Sequence, residues 1–259
     1  VNRIYESSDG ILWVGTAGGG FSKIRFAEDK HFSIIKHNPV NPRNSIPIMT
    51  NVFTLYVDKS DNILLSSQGS EGSMVFQRQT STLKSIDKAN KLNAQQTSSF
   101  LEDNRGNFWH GRQNGLFIYN PRTQNLSKPP SRYLIPDSVL QGPINYLYES
   151  KDSKLWISGV SSPQEGRQVG TVYIGYLDFK TNNYKNYVKV TADSAALPQS
   201  SSLVQDNSGN IWFAGRGARN QGIYKLNPTS EIITLHAASG EKSEQLSNTQ
   251  VNQLHVDKN

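Results

Sequence analysis

An all-β fold is predicted, a β-propeller built of four-stranded antiparallel blades with five blades present. Three observations carry it. A unit of about fifty residues recurs five times along the 259-residue chain. Each unit breaks into four short strand-like runs, with turn residues every 8 to 12 positions as in all-β folds. No segment longer than ten residues has convincing helical periodicity. A four-strand unit repeating at 40 to 50 residues is the signature of propeller blades.

The second strand sets the frame. It reads SSDGILWVG (7–15), DKSDNILLS (58–66), DNRGNFWHG (103–111), SKDSKLWIS (150–158) and DNSGNIWFA (206–214). The aromatic positions are Trp13, Leu64, Trp109, Trp156 and Trp212, at spacings of 51, 45, 47 and 56 residues. Blades therefore span 1–51, 52–96, 97–143, 144–199 and 200–250. VNQLHVDK (251–258) matches VFTLYVDK (52–59) and opens a sixth copy at 251–259. The chain begins and breaks off within the pattern, so a larger parent propeller is expected, with any leader or membrane anchor outside this stretch.

Each blade starts with an alternating run such as VNRIYE or VFTLYV. A turn of Asp, Asn, Gly and Ser then closes a hairpin, because these residues accept left-handed or Asx-turn geometry. The Trp strand follows, then a variable loop, and then a third strand such as GFSKIRF, SMVFQRQ or GIYKLN. An Asn-Pro or Thr-Asn turn leads into the fourth strand, FSIIKH, LKSI, YKNYVK or EIITLH. Residues 87–96 are expected to add one helical turn. Two places after the aromatic position stands a small residue: Gly15, Ser66, Gly111, Ser158 and Ala214. A large side chain there would push adjacent blades apart near the crowded axis. The indoles supply the bulk between blades, each burying roughly 150–250 Å². Trp13, Leu64, Trp109, Trp156 and Trp212 are thus read as inter-blade residues, because they recur at one position.

Composition bounds the chemistry. The chain has no Cys, which excludes disulfides, thiolate metal sites and a Cys nucleophile. The net charge of +6 comes from scattered Lys and Arg, so no nucleic-acid partner is expected. No apolar run approaches the roughly 18 residues of a membrane helix. The D-x-x-G-N turns at Asp103 and Asp206 look like calcium loops but lack the ligand count and closing Glu, so hairpin turns explain them. The five His residues show no metal spacing. No metal, cofactor or catalytic residue is expected.

The copies SSDGILWVGTAGGGF, EDNRGNFWHGRQNGLFIYNP and QDNSGNIWFAGRGARNQGIYKLNP resemble the two-component regulator propeller repeat. The second copy departs from it, lacking both the Trp and the Gly-Thr. The resemblance implies the extracytoplasmic sensor region of a Bacteroidetes hybrid two-component system. Such sensors carry two successive propellers, usually seven-bladed, then a β-sandwich, an inner-membrane helix and a histidine kinase. They detect glycan-derived oligosaccharides and regulate polysaccharide utilisation. The implied location is periplasmic, with the remaining sensor domains and a second copy of the parent as partners.

Loops between strands two and three lie on one propeller face and differ between copies, so they are the places free to bind. Arg112, Gln113, Arg167, Gln168, Arg216, Arg219 and Asn220 in these loops are the candidate ligand contacts. Arg offers a planar donor fork and the amides suit sugar hydroxyls. Four of the seven are Arg, so an acidic oligosaccharide is the favoured ligand. Two alternatives stand beside the sensor. G-N-I-W-F (209–213) also resembles the repeat of streptogramin lyase-like propellers, an enzyme reading that needs a His and acid cluster. Glu71, Glu165 and the adjacent His110 are the candidates for it, with His110 expected to be a packed strand residue. A protein-interaction scaffold is the third reading.

Overall fold

The structure is a computed structural model, and it describes residues 1–26, 32–37, 51–67, 72–94, 96–161, 172–187, 199–216, 222–236, 251 and 253–256. Among these, five four-stranded sheets form, each with its strands in sequence order. The first is β1 (Arg3–Glu6), β2 (Leu12–Gly15), β3 (Phe21–Phe26) and β4 (Phe32–His37). The second is β5 (Val52–Val57), β6 (Ile63–Ser67), β7 (Ser73–Gln77) and β8 (Thr82–Ser85), followed by a helical turn, α1 (Ile86–Ala89). The third is β9 (Thr97–Glu102), β10 (Phe108–Arg112), β11 (Gly115–Asn120) and β12 (Asn125–Ser127). A second helical turn, α2 (Asp137–Leu140), precedes the fourth sheet, which is β13 (Ile144–Glu149), β14 (Lys154–Val160), β15 (Val172–Asp178) and β16 (Tyr184–Asn186). The fifth is β17 (Gln199–Gln205), β18 (Ile211–Arg216), β19 (Gly222–Leu226) and β20 (Ile233–His236). The helical turn expected at 87–96 is real but starts one residue earlier and ends at Ala89, capped by the Ser85 hydroxyl accepting from Lys88 N. Nothing in the sequence pattern marked α2.

The chain divides into two compact units, Val1–Gln113 with Phe117–Lys128, and Asn114–Leu116 with Pro129–Asn259. In the first unit, Trp13, Ile11 and Phe21 of blade one pack on Val52, Leu55, Leu65 and Phe76 of blade two. Leu64 and Val75 of blade two pack in turn on Phe100, Phe108 and Tyr119 of blade three. In the second unit, Trp156 and Ile174 of blade four pack on Leu203, Phe213 and Tyr224 of blade five. For β2, β6 and β14, one face of the second strand therefore docks on the opposite face of the next sheet. Trp13, Leu64, Trp109 and Trp156 are at most 1% exposed. Trp212 is half-buried, and the segment around Leu254 runs past it, donating Leu254 N to Ser202 Oγ at 3.0 Å.

In blades two to five the first strand carries a one-residue register slip beside the small residue of the second. The pairs that flank it are Thr54↔Ser66, Ser99↔Gly111, Tyr146↔Ser158 and Ser202↔Ala214. Such a bulge bends a strand and strengthens its twist, so the sheet turns where the neighbouring blade comes closest. Space there is scarce: a Cβ on Gly15 would meet Val52 Cγ1 at 2.8 Å. Gly15→Leu is expected to lower stability by about 1–3 kcal/mol, as overpacked cores do, read as a drop in the urea midpoint without a change in slope.

Candidate functional site

The turn between strands one and two is organised by its first residue. Asp103 accepts from Arg105 N, Asn107 N, Asn107 Nδ2 and Trp109 Nε1, at 2.8–2.9 Å. Asp206 repeats this with Ser208 N, Asn210 N, Asn210 Nδ2 and Trp212 Nε1. These four donors fill the carboxylate, so the D-x-x-G-N pattern closes a hairpin and anchors the indole six residues on. Ser7 plays the part in blade one, accepting from Trp13 Nε1 at 3.3 Å. Asp58 keeps the turn bonds, but with Leu64 in the aromatic place no indole reaches it. The electrostatics follow. Burial raises the Asp58 carboxyl above its ordinary value. Burial also acts upward on Asp206, but the bonds from Trp212 and Asn210 outweigh it and the net shift is downward.

The second turn residue reaches across to the next blade. Ser8 Oγ lies 3.1 Å from Asp61 Oδ2. Lys59 donates its N to Glu102 Oε2 and its Nζ to Asp103 O, at 2.8 and 2.9 Å. Lys151 N donates to Gln205 Oε1 and its Nζ to Asn207 Oδ1, at 2.8 and 2.7 Å. Between blades one and two, Arg78 fills the seam. Its guanidinium lies 5.4 Å from the Trp13 ring centroid, donates to Asp9 Oδ2 at 2.7 Å and pairs with Asp61 at 3.5 Å. The bond to Asp9, first among several causes, holds that carboxyl down at about 2.

The residues expected to contact ligand fall in different places. Arg112 is not in the loop; it is the last residue of β10 and fully buried. Its Nη1 donates to Asp87 Oδ1 of α1 at 2.6 Å, while its Nε and Nη2 have no hydrogen-bond partner among the described residues. Asp87 also accepts from Ser73 N and Oγ. This ion pair crosses from blade two to blade three and holds the guanidinium away from solvent. Gln113 is exposed and donates its Nε2 to Ser98 Oγ at 3.2 Å. Arg216 ends β18, and its side chain lies outside the described residues, as do Arg167, Gln168, Arg219 and Asn220. Of the seven, the described side chains are those of Arg112 and Gln113.

His110 sits two residues before Arg112 on the same face of β10 and is fully buried. Phe100 lies edge-on at 4.6 Å between ring centroids and Tyr119 at 5.4 Å, and neither ring nitrogen has a partner. Burial first, and the Arg112 charge second, keep the imidazole neutral well below its usual range. The unfolded chain therefore binds a proton near pH 6.5 that the folded chain refuses. The stability from keeping His110 neutral is complete above that pH and is lost as pH falls below it. Urea midpoints measured from pH 7.5 to 5 are expected to fall less steeply in His110→Leu than in the parent. Glu71 and Glu165 lie outside the described residues, and among the described residues no group of three His, Asp or Glu comes together. No helix among them is long and apolar enough to cross a membrane.

Residues 1–18 match the family model of the two component regulator propeller. No curated protein matches the chain. Among solved structures, one described as the extracellular domain of the hybrid two component system BT4673 from B. thetaiotaomicron superposes with a TM-score of 0.63 at 16% identity. The match covers all of this chain and 36% of that one, so the chain spans about a third of its length. Virginiamycin B lyase from Staphylococcus aureus matches at TM-score 0.57 and 13% identity, over 93% of this chain and 71% of that one. An auxiliary nutrient binding protein from Bacteroides thetaiotaomicron matches at 0.56 and 12%, over 93% and 58%. At such identities the likeness is one of fold. The chain is an all-β array of propeller blades whose opening stretch matches the two component regulator propeller model.

Proposed function

We propose that this chain is a non-catalytic sensor propeller from the extracytoplasmic region of a hybrid two-component system, and that it responds to glycan-derived oligosaccharides. The observation that carries the reading is the regulator propeller match over residues 1–18, in a chain whose whole length follows the fold of such an extracellular domain. The parent is then periplasmic and anchored in the inner membrane, and its output is the regulation of polysaccharide utilisation. A ligand acts by differential affinity: it favours one arrangement of the sensor domains and shifts the population that the kinase reads. The lyase-like fold match supports a second reading, an enzyme. His110 does not serve it, because its imidazole is closed in by Phe100 and Tyr119 and held neutral.

Calorimetry of the chain against a panel of acidic and neutral oligosaccharides, run beside lyase and hydrolase screens, separates the two. Binding without turnover is expected. Turnover of any panel member would sink the sensor reading.

A further inference from the structure

The seam between blades four and five differs from that between blades one and two at several turn positions, and first at the turn after the third strand. Ile63 pairs with Phe76 in blade two, and Ile211 with Leu226 in blade five, so Arg78 and Pro228 are equivalent, each two residues beyond the pair. Arg78 closes its seam over Trp13. Pro228 cannot, and a cleft of about 430 Å³ opens beside Trp156. Between blades two and three the equivalent residue is Pro121, yet only about 40 Å³ is open. There the counterparts of Ile211 and Leu226 are the larger Phe108 and Tyr119, and they line what remains.

The cleft has an unmet donor. In blades one, three and five the indole N–H donates to the first turn residue. In blade four that residue is Ser150, whose hydroxyl donates to Asp152 as Ser7 does to Asp9, but accepts from Lys154 N at 3.3 Å in place of the indole. Trp156 lines the cleft at 1% exposure, and among the described residues its Nε1 has no hydrogen-bond partner. A buried donor in this state costs about 1–3 kcal/mol until an acceptor arrives.

The cleft is also less acidic than the first seam. The places of Ser8 and Ile11 are taken by Lys151 and Lys154, and that of Asp61 by Gly209. Asp152 is neutralised by Lys154 at 2.6 Å, and the Asp206 carboxylate is filled by its own turn. Among the described residues the Lys151 ammonium meets the neutral Asn207 amide, and it faces solvent. Ser208, Asn227 and Thr229 complete the wall with hydroxyl and amide groups.

We propose that this cleft binds a carboxylated sugar unit, its carboxylate on Lys151 and a hydroxyl or ring oxygen on the Trp156 indole N–H. The size is within the range of small-ligand pockets, roughly 300–1,000 Å³. The proposal rests on the oligosaccharide-sensing reading and places the ligand at the hairpin end, away from the variable loops. The test is a titration of the full chain with sodium D-glucuronate, and with D-glucose as its uncharged match. The Trp156 indole N–H signal, assigned with Trp156→Phe, is the readout. A saturable shift is expected, about tenfold weaker with glucose and about tenfold weaker in Lys151→Gln and in Pro228→Arg, which restores the plug seen in blade two. Unchanged affinity in Pro228→Arg, or no shift while other sugars of the panel bind, overturns the cleft and leaves the sensor reading standing. Equal affinity for glucose overturns the anionic class. Failure of every panel sugar to bind overturns both.

Discussion

Arg112→Met is expected to lower stability by about 3–5 kcal/mol, the usual cost of leaving one member of a buried ion pair alone. Asp87 would keep its bonds from Ser73 but lose the guanidinium, in a site both residues share at no more than 1% exposure. Asp87→Asn is expected to cost as much, because the Arg112 guanidinium would then sit uncompensated, with the Lys128 ammonium 3.9 Å from the same Phe117 ring it leans on. Burial, and then the Arg112 charge, already depress the Lys128 amine. The double variant removes both charges and leaves the new amide oxygen as an acceptor for Ser73. It is expected to return to within about 1–2 kcal/mol of the parent, since uncharged replacements of buried pairs are often neutral. Urea unfolding of all four proteins completes the cycle. Additive losses in the double variant would show that the two side chains act independently.

The second large effect is at Trp109. Trp109→Ala is expected to cost about 3–5 kcal/mol, as large-to-small core substitutions do, because the ring is fully buried and its N–H is one of four donors to Asp103. Trp109→Phe keeps a ring but strips that donor and is expected to lose less. Trp212→Ala provides the contrast: the Asp206 bond is the same length, but the ring is only half-buried, so the loss is expected to be clearly smaller. Equal losses at the two positions would mean that ring burial does not set the cost.

Why some of this is legible in the sequence and some is not comes down to range. The strand frame is written locally: a turn residue, an aromatic and a small residue two places on recur within nine positions, and Gly15 shows the steric reason, with Val52 at 2.8 Å from any added Cβ. The Asp-to-indole bond lies within the same nine residues at a six-residue spacing, but Asp and Trp do not change together across the copies, so the pairing shows only in the fold. Arg112 is the opposite case. In RQNG it stands at the edge of a polar run and reads as loop, while its partner Asp87 lies 25 residues away across a blade boundary. Burial of His110 beside it was suggested only by the preceding Trp. The cleft at Trp156 depends on Pro228, more than seventy residues downstream, and its unmet indole on the Ser150 hydroxyl accepting from Lys154 N instead; neither is visible without the fold.

Arg78 and Pro228 occupy one place in the repeat, in a half-buried bend outside the strand ladder. An arginine there covers the ring beneath it, and a proline leaves a hollow where the facing strand residues are small, as Ile211 and Leu226 are beside Phe108 and Tyr119. An array of this kind therefore has as many trial sites as it has junctions. Each is open to alteration by a single codon, so new recognition arises without first destabilising the scaffold that must display it.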